Sequence, residues 1–436
     1  MEELNVARNE AAAVITSPGK PPAEGASDGP QKPVSGMWIT LFALAYVGFW
    51  VAVLTPGIIA IPLKITTLVS PDEAPAALGV VAAAGTFVGM VTTPIFGRLS
   101  DRTTSRFGMR RPWLIIGSLI GVLAGLVSGF AGSVTVLAIG YSLAAIGFNC
   151  AFAALIAVVA DQVPTHQRGR VSGLVGITLP VALVGGTFVV QFIASDPVLP
   201  LVIPAVFGAF MIILFALPLR DRRLAREDRP TASWKDLALT FWVNPRRHPD
   251  FAWAFAQRFI FIFAYACLTT YQTFYLLNKL GTPPSEVAGQ VFLGVVALSV
   301  TTVISSIVCG RLSDAVGRRK PFIIGAALIY AVALTIVSNA NDFTGFLVGM
   351  VVGGFGFGAY VAVDLALATE VLPNQANAAK DLGVFNMAST LPQSLVPAVA
   401  PLILALGGGS YGFLFTVAAA IAALSVLAII PVKSVR

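Results

Sequence analysis

Apolar residues along this chain fall in long runs separated by short polar connections. A helix that crosses a bilayer needs about 20 mostly apolar residues, and by that ruler the first half holds six spans. They run approximately over 38–63, 76–96, 112–131, 134–160, 170–193 and 198–219. A polar stretch follows, then six more at approximately 251–277, 286–309, 321–340, 343–371, 380–406 and 411–432. The pattern predicts an all-α integral membrane protein of twelve helices. Its four parts are a tail (1–36), a six-helix half (37–219), a linker (220–250) and a second half (251–436). The tail (SPGKPPAEGASDGPQKP) is polar and rich in Pro and Gly, a composition that predicts disorder. A signal peptide would place its apolar segment nearer Met1, so the run from Trp38 reads as a retained membrane helix.

Composition agrees. Of 436 residues only 11% are charged, against about a quarter in soluble domains. The net charge of +7 does not imply nucleic acid, because the cations sit in short connections between apolar runs. They act instead as orientation signals. With the N-terminus in the cytoplasm of a multi-pass cell-membrane protein, all but three of the 28 Lys and Arg residues face the cytoplasm. The exceptions are Lys64 and Lys279 outside and Arg258 within a span. Misplacing one helix would reverse every later connection and destroy this asymmetry. Cys150, Cys267 and Cys309 lie in apolar runs without metal spacing, so neither a disulfide framework nor a metal site is expected. No H-E-x-x-H motif, paired carboxylates or P-loop suggests an enzyme, a cofactor or ATP drive.

In the linker, Ser233 and Asp236 make an S-x-x-D helix start before Leu237, Leu239, Phe241 and Trp242. This predicts a short interfacial helix hinged at Asn244-Pro245; an irregular linker is the alternative.

One connection recurs. GRLSDRTTSRFGMRRP at Gly97 has a partner GRLSDAVGRRKP at Gly310. Asp161 with Val163-Pro164 likewise corresponds to Glu370 with Leu372-Pro373 at nearly the same offset, so the chain contains a duplicated six-helix unit. The doubled motif between the second and third helices of each half resembles the signature of the major facilitator superfamily. The longer first copy, with Leu382-Gly383-Val384-Phe385-Asn386 and Leu391-Pro392-Gln393, is similar to the branch of sucrose–proton symporters and glycoside–pentoside–hexuronide carriers. The resemblance implies a secondary transporter working by alternating access as a monomer, with a small-molecule substrate, a sugar or glycoside, carried with protons. The second span has no acid between Ala76 and Phe96, where sodium-coupled hexuronide carriers place carboxylates, so the resemblance does not extend to sodium coupling.

Mechanically, the motif suits a gating contact. Gly97, Gly108, Gly310 and Gly317 permit close backbone approach. Asp101 and Asp314 can face a helix N-terminus, while cations such as Arg102, Arg111 and Arg318 meet Asp161 and Glu370. The alternative is that these cations only set topology.

Within the spans, Arg258 lies about eight residues into the seventh helix and Asp364 about seven before the end of the tenth. At 1.5 Å per residue both are roughly 10–12 Å deep. Ionisable groups at such depth are costly and usually functional, so the two are expected to pair, with Asp364 carrying the coupled proton. A fixed structural pair is the alternative. For substrate binding the resemblance points to the helices that line the central cavity. Their polar and aromatic residues are Trp50, Asn149, Gln191, Gln257, Tyr265, Thr269, Tyr271, Gln272, Tyr360, Asn386 and Gln393, with Arg258 a further candidate for binding substrate. Neutral hydrogen-bonding groups beside aromatic faces suit an uncharged polyhydroxylated ligand, though each could instead make an interhelical bond. An exporter of drugs or metabolites on the same fold, and a transport-like receptor, are the competing readings.

Overall fold

The computed structural model describes residues 33–224, 245–371 and 378–432. The tail through residue 32, the helix predicted at Ser233 and Asp236, and the Leu372-Pro373 turn lie outside these residues. All twelve predicted spans are helices long and apolar enough to cross a membrane. The first six are α1 Gly36–Thr66, α2 Ala74–Asp101, α3 Arg111–Gly129, α4 Val134–Gln162, α5 Thr165–Ile193 and α6 Leu199–Ala216. The second six are α7 Pro249–Asn278, α8 Pro284–Val316, α9 Lys320–Asn339, α10 Phe343–Glu370, α11 Ala378–Leu406 and α12 Tyr411–Ile429.

Helices outrun the apolar ruler at the end that carries the repeated motif, called here the basic end. Gly97–Asp101 and Gly310–Asp314, expected in connections, are the last turns of α2 and α8. The edge of an apolar run does not end a helix; a stop signal does. Gly317 supplies one for α8, with φ +66° and its N–H donating to the Ser313 carbonyl at 2.9 Å.

The two halves repeat one packing scheme. The third helix of each half packs on the fourth and sixth, the second on the fourth, and the first on the fifth and sixth. Gly117 and Gly121 let α3 approach α4, while Gly125 and Gly129 meet α6. Gly354 and Gly358 in α10 serve the same purpose against α8 within an unbroken helix. Across the halves, α2 packs on α11 and α5 on α8.

The buried core divides unequally. One apolar cluster joins the halves at the end away from the basic one, through Ile59, Leu78 and Val190 with Phe274, Val287 and Val396, and continues within the second half as far as Cys309. Toward the basic end there are two clusters, one within the first half (Phe42, Phe148, Phe215) and one within the second (Phe251, Val363, Phe385). The halves therefore share a hydrophobic core at the far end and keep separate ones at the basic end.

At the far end each half carries one matched lysine. Lys64, 9% exposed, donates from Nζ to the Gly129 carbonyl at 2.7 Å, capping the C-terminus of α3. Lys279 donates to the Ser338 carbonyl at the C-terminus of α9. A cation there meets both unpaired carbonyls and the negative end of the helix dipole. Replacing Lys64 by Met keeps the apolar stem and removes the cap, so thermal unfolding in detergent should show a loss of about 1–3 kcal/mol. An unchanged melting temperature would refute the cap.

Candidate functional site

Three helices of the second half bring the deep charges together. Arg258 of α7 meets Asp364 of α10, Nη1 to Oδ2, at 3.1 Å, and their side chains are only 14% and 12% exposed. From α11, Ser389 accepts from Arg258 Nε at 2.6 Å and Asn386 Oδ1 from Nη2 at 3.4 Å. The Tyr360 hydroxyl donates to the other Asp364 oxygen, Oδ1, at 2.7 Å. The guanidinium also lies 4.8 Å from the centre of the Phe385 ring, a contact not anticipated from sequence. The pair is thus fixed on every side but one, where the Arg258–Asn386 bond is exposed.

The other expected binding residues divide into two groups. Asn386 and Gln393 are exposed, and Trp50, Tyr265 and Thr269 are half-buried. Gln257, Tyr271, Gln272 and Tyr360 are enclosed. Tyr271 donates to the Pro397 carbonyl at 3.2 Å and Gln272 to Thr269 at 3.3 Å. Asn149 accepts from Thr93 of α2 at 3.1 Å and donates to its own helix at 2.9 Å. Tyr271, Gln272 and Asn149 thus turn to a nearby carbonyl or hydroxyl, whereas neither amide atom of Gln257 has a hydrogen-bond partner among the described residues. Gln191 lies in a recess of about 430 Å³ between α5 and α8, with Glu286 and Gln290.

The repeated motif makes one charge clasp per half. Arg110 contacts Asp101 at 2.6 Å and Asp161 at 2.8 Å; its counterpart Arg319 contacts Asp314 at 2.6 Å and Glu370 at 3.6 Å. Among the described residues the cations that reach these acids are Arg110 and Arg319, not the expected Arg102, Arg111 and Arg318. Their shared place two residues before Pro112 and Pro321 was the signal available in the repeat. Burial opposes the charge on Arg110, but the hydrogen bond and charge of Asp161, then those of Asp101, outweigh it and raise its pKa. Only the first clasp has a further member on the described residues: Asp221, just past α6, accepts the N–H groups of Arg110 and Arg111 at 2.6 and 2.7 Å. Gly108 (φ +104°) makes room, since a Cβ there would collide with the Asp221 carboxylate.

The family model of the Major Facilitator Superfamily matches residues 37–300 and 289–435. This chain belongs to that superfamily. Multidrug resistance protein 2 of Bacillus subtilis (strain 168) is 25% identical over 342 residues, covering 77% of this chain and 81% of that protein. Among solved structures, a point mutant of the nucleoside transporter NupG superposes with a TM-score of 0.71 at 13% identity, covering 91% of this chain and 99% of that one. A D-xylose–proton symporter gives 0.69 at 16% identity, covering 91% and 98%. At these identities the likeness to solved structures concerns the fold.

In this superfamily member the halves are latched at the far end through a carbonyl that a proline has freed. Pro62 has no N–H for the Ile58 carbonyl four residues back, and α1 locally widens into a π turn over Pro56–Ala60. Thr273 of α7 donates to that Ile58 carbonyl at 2.6 Å from across the interface. Pro397 similarly frees the Gln393 carbonyl, but Thr86 of α2, 3.5 Å away, gives its hydroxyl proton to the Ala82 carbonyl of its own helix at 2.7 Å. Phe188 of α5 and Phe292 of α8 add a ring contact at 5.4 Å. Together with the divided core, these contacts describe a carrier closed at the far end.

Two outcomes are expected. Thr273→Val keeps the shape and deletes the latch, worth about 1 kcal/mol or roughly a fivefold shift toward the far-end-open form. Faster labelling of a cysteine introduced at Gly289 would register it, and an unchanged rate would remove Thr273 from the gate. Burial raises the Asp221 pKa despite its two amide bonds, so its stabilisation is present at acid pH and fades as pH rises through that raised value. Asp221→Asn, neutral and still an acceptor, should therefore melt at or above wild type at neutral pH. Asp221→Ala, which strands two N–H groups, should lose about 1–2 kcal/mol.

Proposed function

We propose that this transporter is a proton-coupled symporter of a polyhydroxylated small molecule, a sugar or glycoside. It works by alternating access in the cell membrane, as a monomer with both termini and the basic end in the cytoplasm. The observation that carries the reading is the Arg258–Asp364 pair, deep among α7, α10 and α11 yet partly exposed. A charge at that depth persists only with a partner. Protonation of Asp364 frees Arg258, and deprotonation recaptures it, so the proton's arrival and departure can be tied to substrate occupancy. Neutral Asn386, Thr390 and Gln393 line the exposed face of α11 beside the pair and offer the hydrogen bonds a hydroxylated ligand needs. The clasps at Arg110 and Arg319 stay within their own halves, which suits halves that move as rigid bodies.

A second reading, a proton-coupled exporter of drugs or metabolites, is favoured by the similarity to multidrug resistance protein 2. Uptake into proteoliposomes under an imposed pH gradient separates the two, with sugars and cationic dyes as parallel substrates. Acid-driven accumulation of a sugar supports symport; proton-driven extrusion of dyes supports export. Under either, Asp364→Asn should abolish gradient-driven accumulation while leaving downhill exchange. Surviving accumulation would remove Asp364 from coupling.

A further inference from the structure

The charge balance around Asp364 narrows the cargo. We infer that Arg258 is a carboxylate-binding residue, so that the polyhydroxylated molecule carried with the proton bears a carboxylate, as a sugar acid does, and is a monoanion. The inference rests on Asp364 being the coupled proton site. In the structure the two charges cancel, and the charged and titratable groups acting on Asp364 among the described residues are Arg258 of α7 and Tyr360 of α10. From α11 the facing groups are neutral, Asn386 and Ser389. When a proton joins Asp364, the carboxylate becomes a carboxylic acid, while a guanidinium does not lose its proton in a protein. Arg258 is then a buried, unbalanced cation, a state that costs several kcal/mol unless an anion replaces the lost one. A neutral sugar supplies hydrogen bonds but no charge. A carboxylate supplies both.

The geometry is ready for that exchange. Tyr360 donates to Oδ1 at 2.7 Å, so the proton's place is Oδ2, the oxygen that faces Arg258. Ser389 keeps hold of Nε at 2.6 Å, and the Phe385 ring supports the guanidinium plane, so Arg258 stays in position when Asp364 is neutralised. Nη1 is then released, and Nη2 makes only a 3.4 Å bond at the exposed edge. These two nitrogens form the fork that takes a carboxylate bidentately. The empty carrier with a charged pair is balanced, and so is the carrier loaded with one proton and one monoanion. Carriers holding only one of the two are not. Coupling follows from that difference, and each full cycle moves no net charge.

Purified full-length protein can be probed with two carboxylates, gluconate and benzoate, and their neutral counterparts, sorbitol and benzyl alcohol. Binding is read by thermal shift and by equilibrium dialysis. Wild type should bind at least one carboxylate about tenfold more tightly at mildly acidic than at neutral pH and above its neutral counterpart, a gain of about 1.4 kcal/mol. Asp364→Asn, with Arg258 permanently unpaired, should show the tight affinity at both pH values. The double variant Arg258→Gln with Asp364→Asn carries no buried charge, so it guards against misfolding, and it should lose the preference for carboxylate. No gain for either carboxylate in Asp364→Asn, or equal binding of the neutral compounds, overturns the inference. The coupling reading is judged separately by accumulation: if Asp364→Asn still accumulates substrate under a pH gradient, that reading fails. If it stops accumulating but gains no carboxylate affinity, the anion inference alone falls.

Discussion

A charge that cannot reach water must find its counterpart inside the protein, and much of this carrier follows from how it meets that demand. The deep pair Arg258–Asp364 holds three helices of the second half at one point. Lys64 and Lys279 spend their charge on helix C-termini, and Arg110 and Arg319 on acids of their own half. Each solution ties helices within a half. None of these ion pairs joins one half to the other.

The contacts seen between halves among the described residues are of another kind. They are apolar surfaces and the hydrogen bond of Thr273 to the Ile58 carbonyl, which Pro62 leaves without a helical donor. A strong ion pair across the interface would make one conformation too stable to leave, whereas bonds worth about 1 kcal/mol can be exchanged during each cycle. Strong electrostatics inside the halves and weak bonds between them make rigid units joined by a breakable seam. The repeat is not symmetric in its chemistry: the first half has no counterpart of Arg258–Asp364 among the described residues, and the Asp221 contact is described only on the first clasp.

Much of this was legible in the chain. Twelve apolar runs, the one-sided distribution of cations and the doubled GRLSD motif are local properties, readable without contacts. The pairing of Arg258 with Asp364 was also legible, because so few ionisable residues lie deep in the spans that each has few possible partners. The clasp cations were half legible. The motif places several arginines within one turn and connection, and only the fold shows that Arg110 points inward. Asp221 left no signal of its own in sequence. The latch carbonyl at Ile58 did leave one, a proline four residues downstream, but the donor that answers it is set by the neighbouring helix.

By itself, then, the sequence determined the number of spans, their duplication, the family and the deep charge pair, because bilayer length and the cost of buried charge act on each segment separately. The tertiary structure decided which arginine closes each clasp and which polar side chains are exposed. It also decided at which end the halves meet. Asn149 and Gln393 are both single amides in apolar helices, yet one is tied to Thr93 and the other lies open. Rotation of a helix about its axis settles that difference, and it depends on every neighbour packed around the helix.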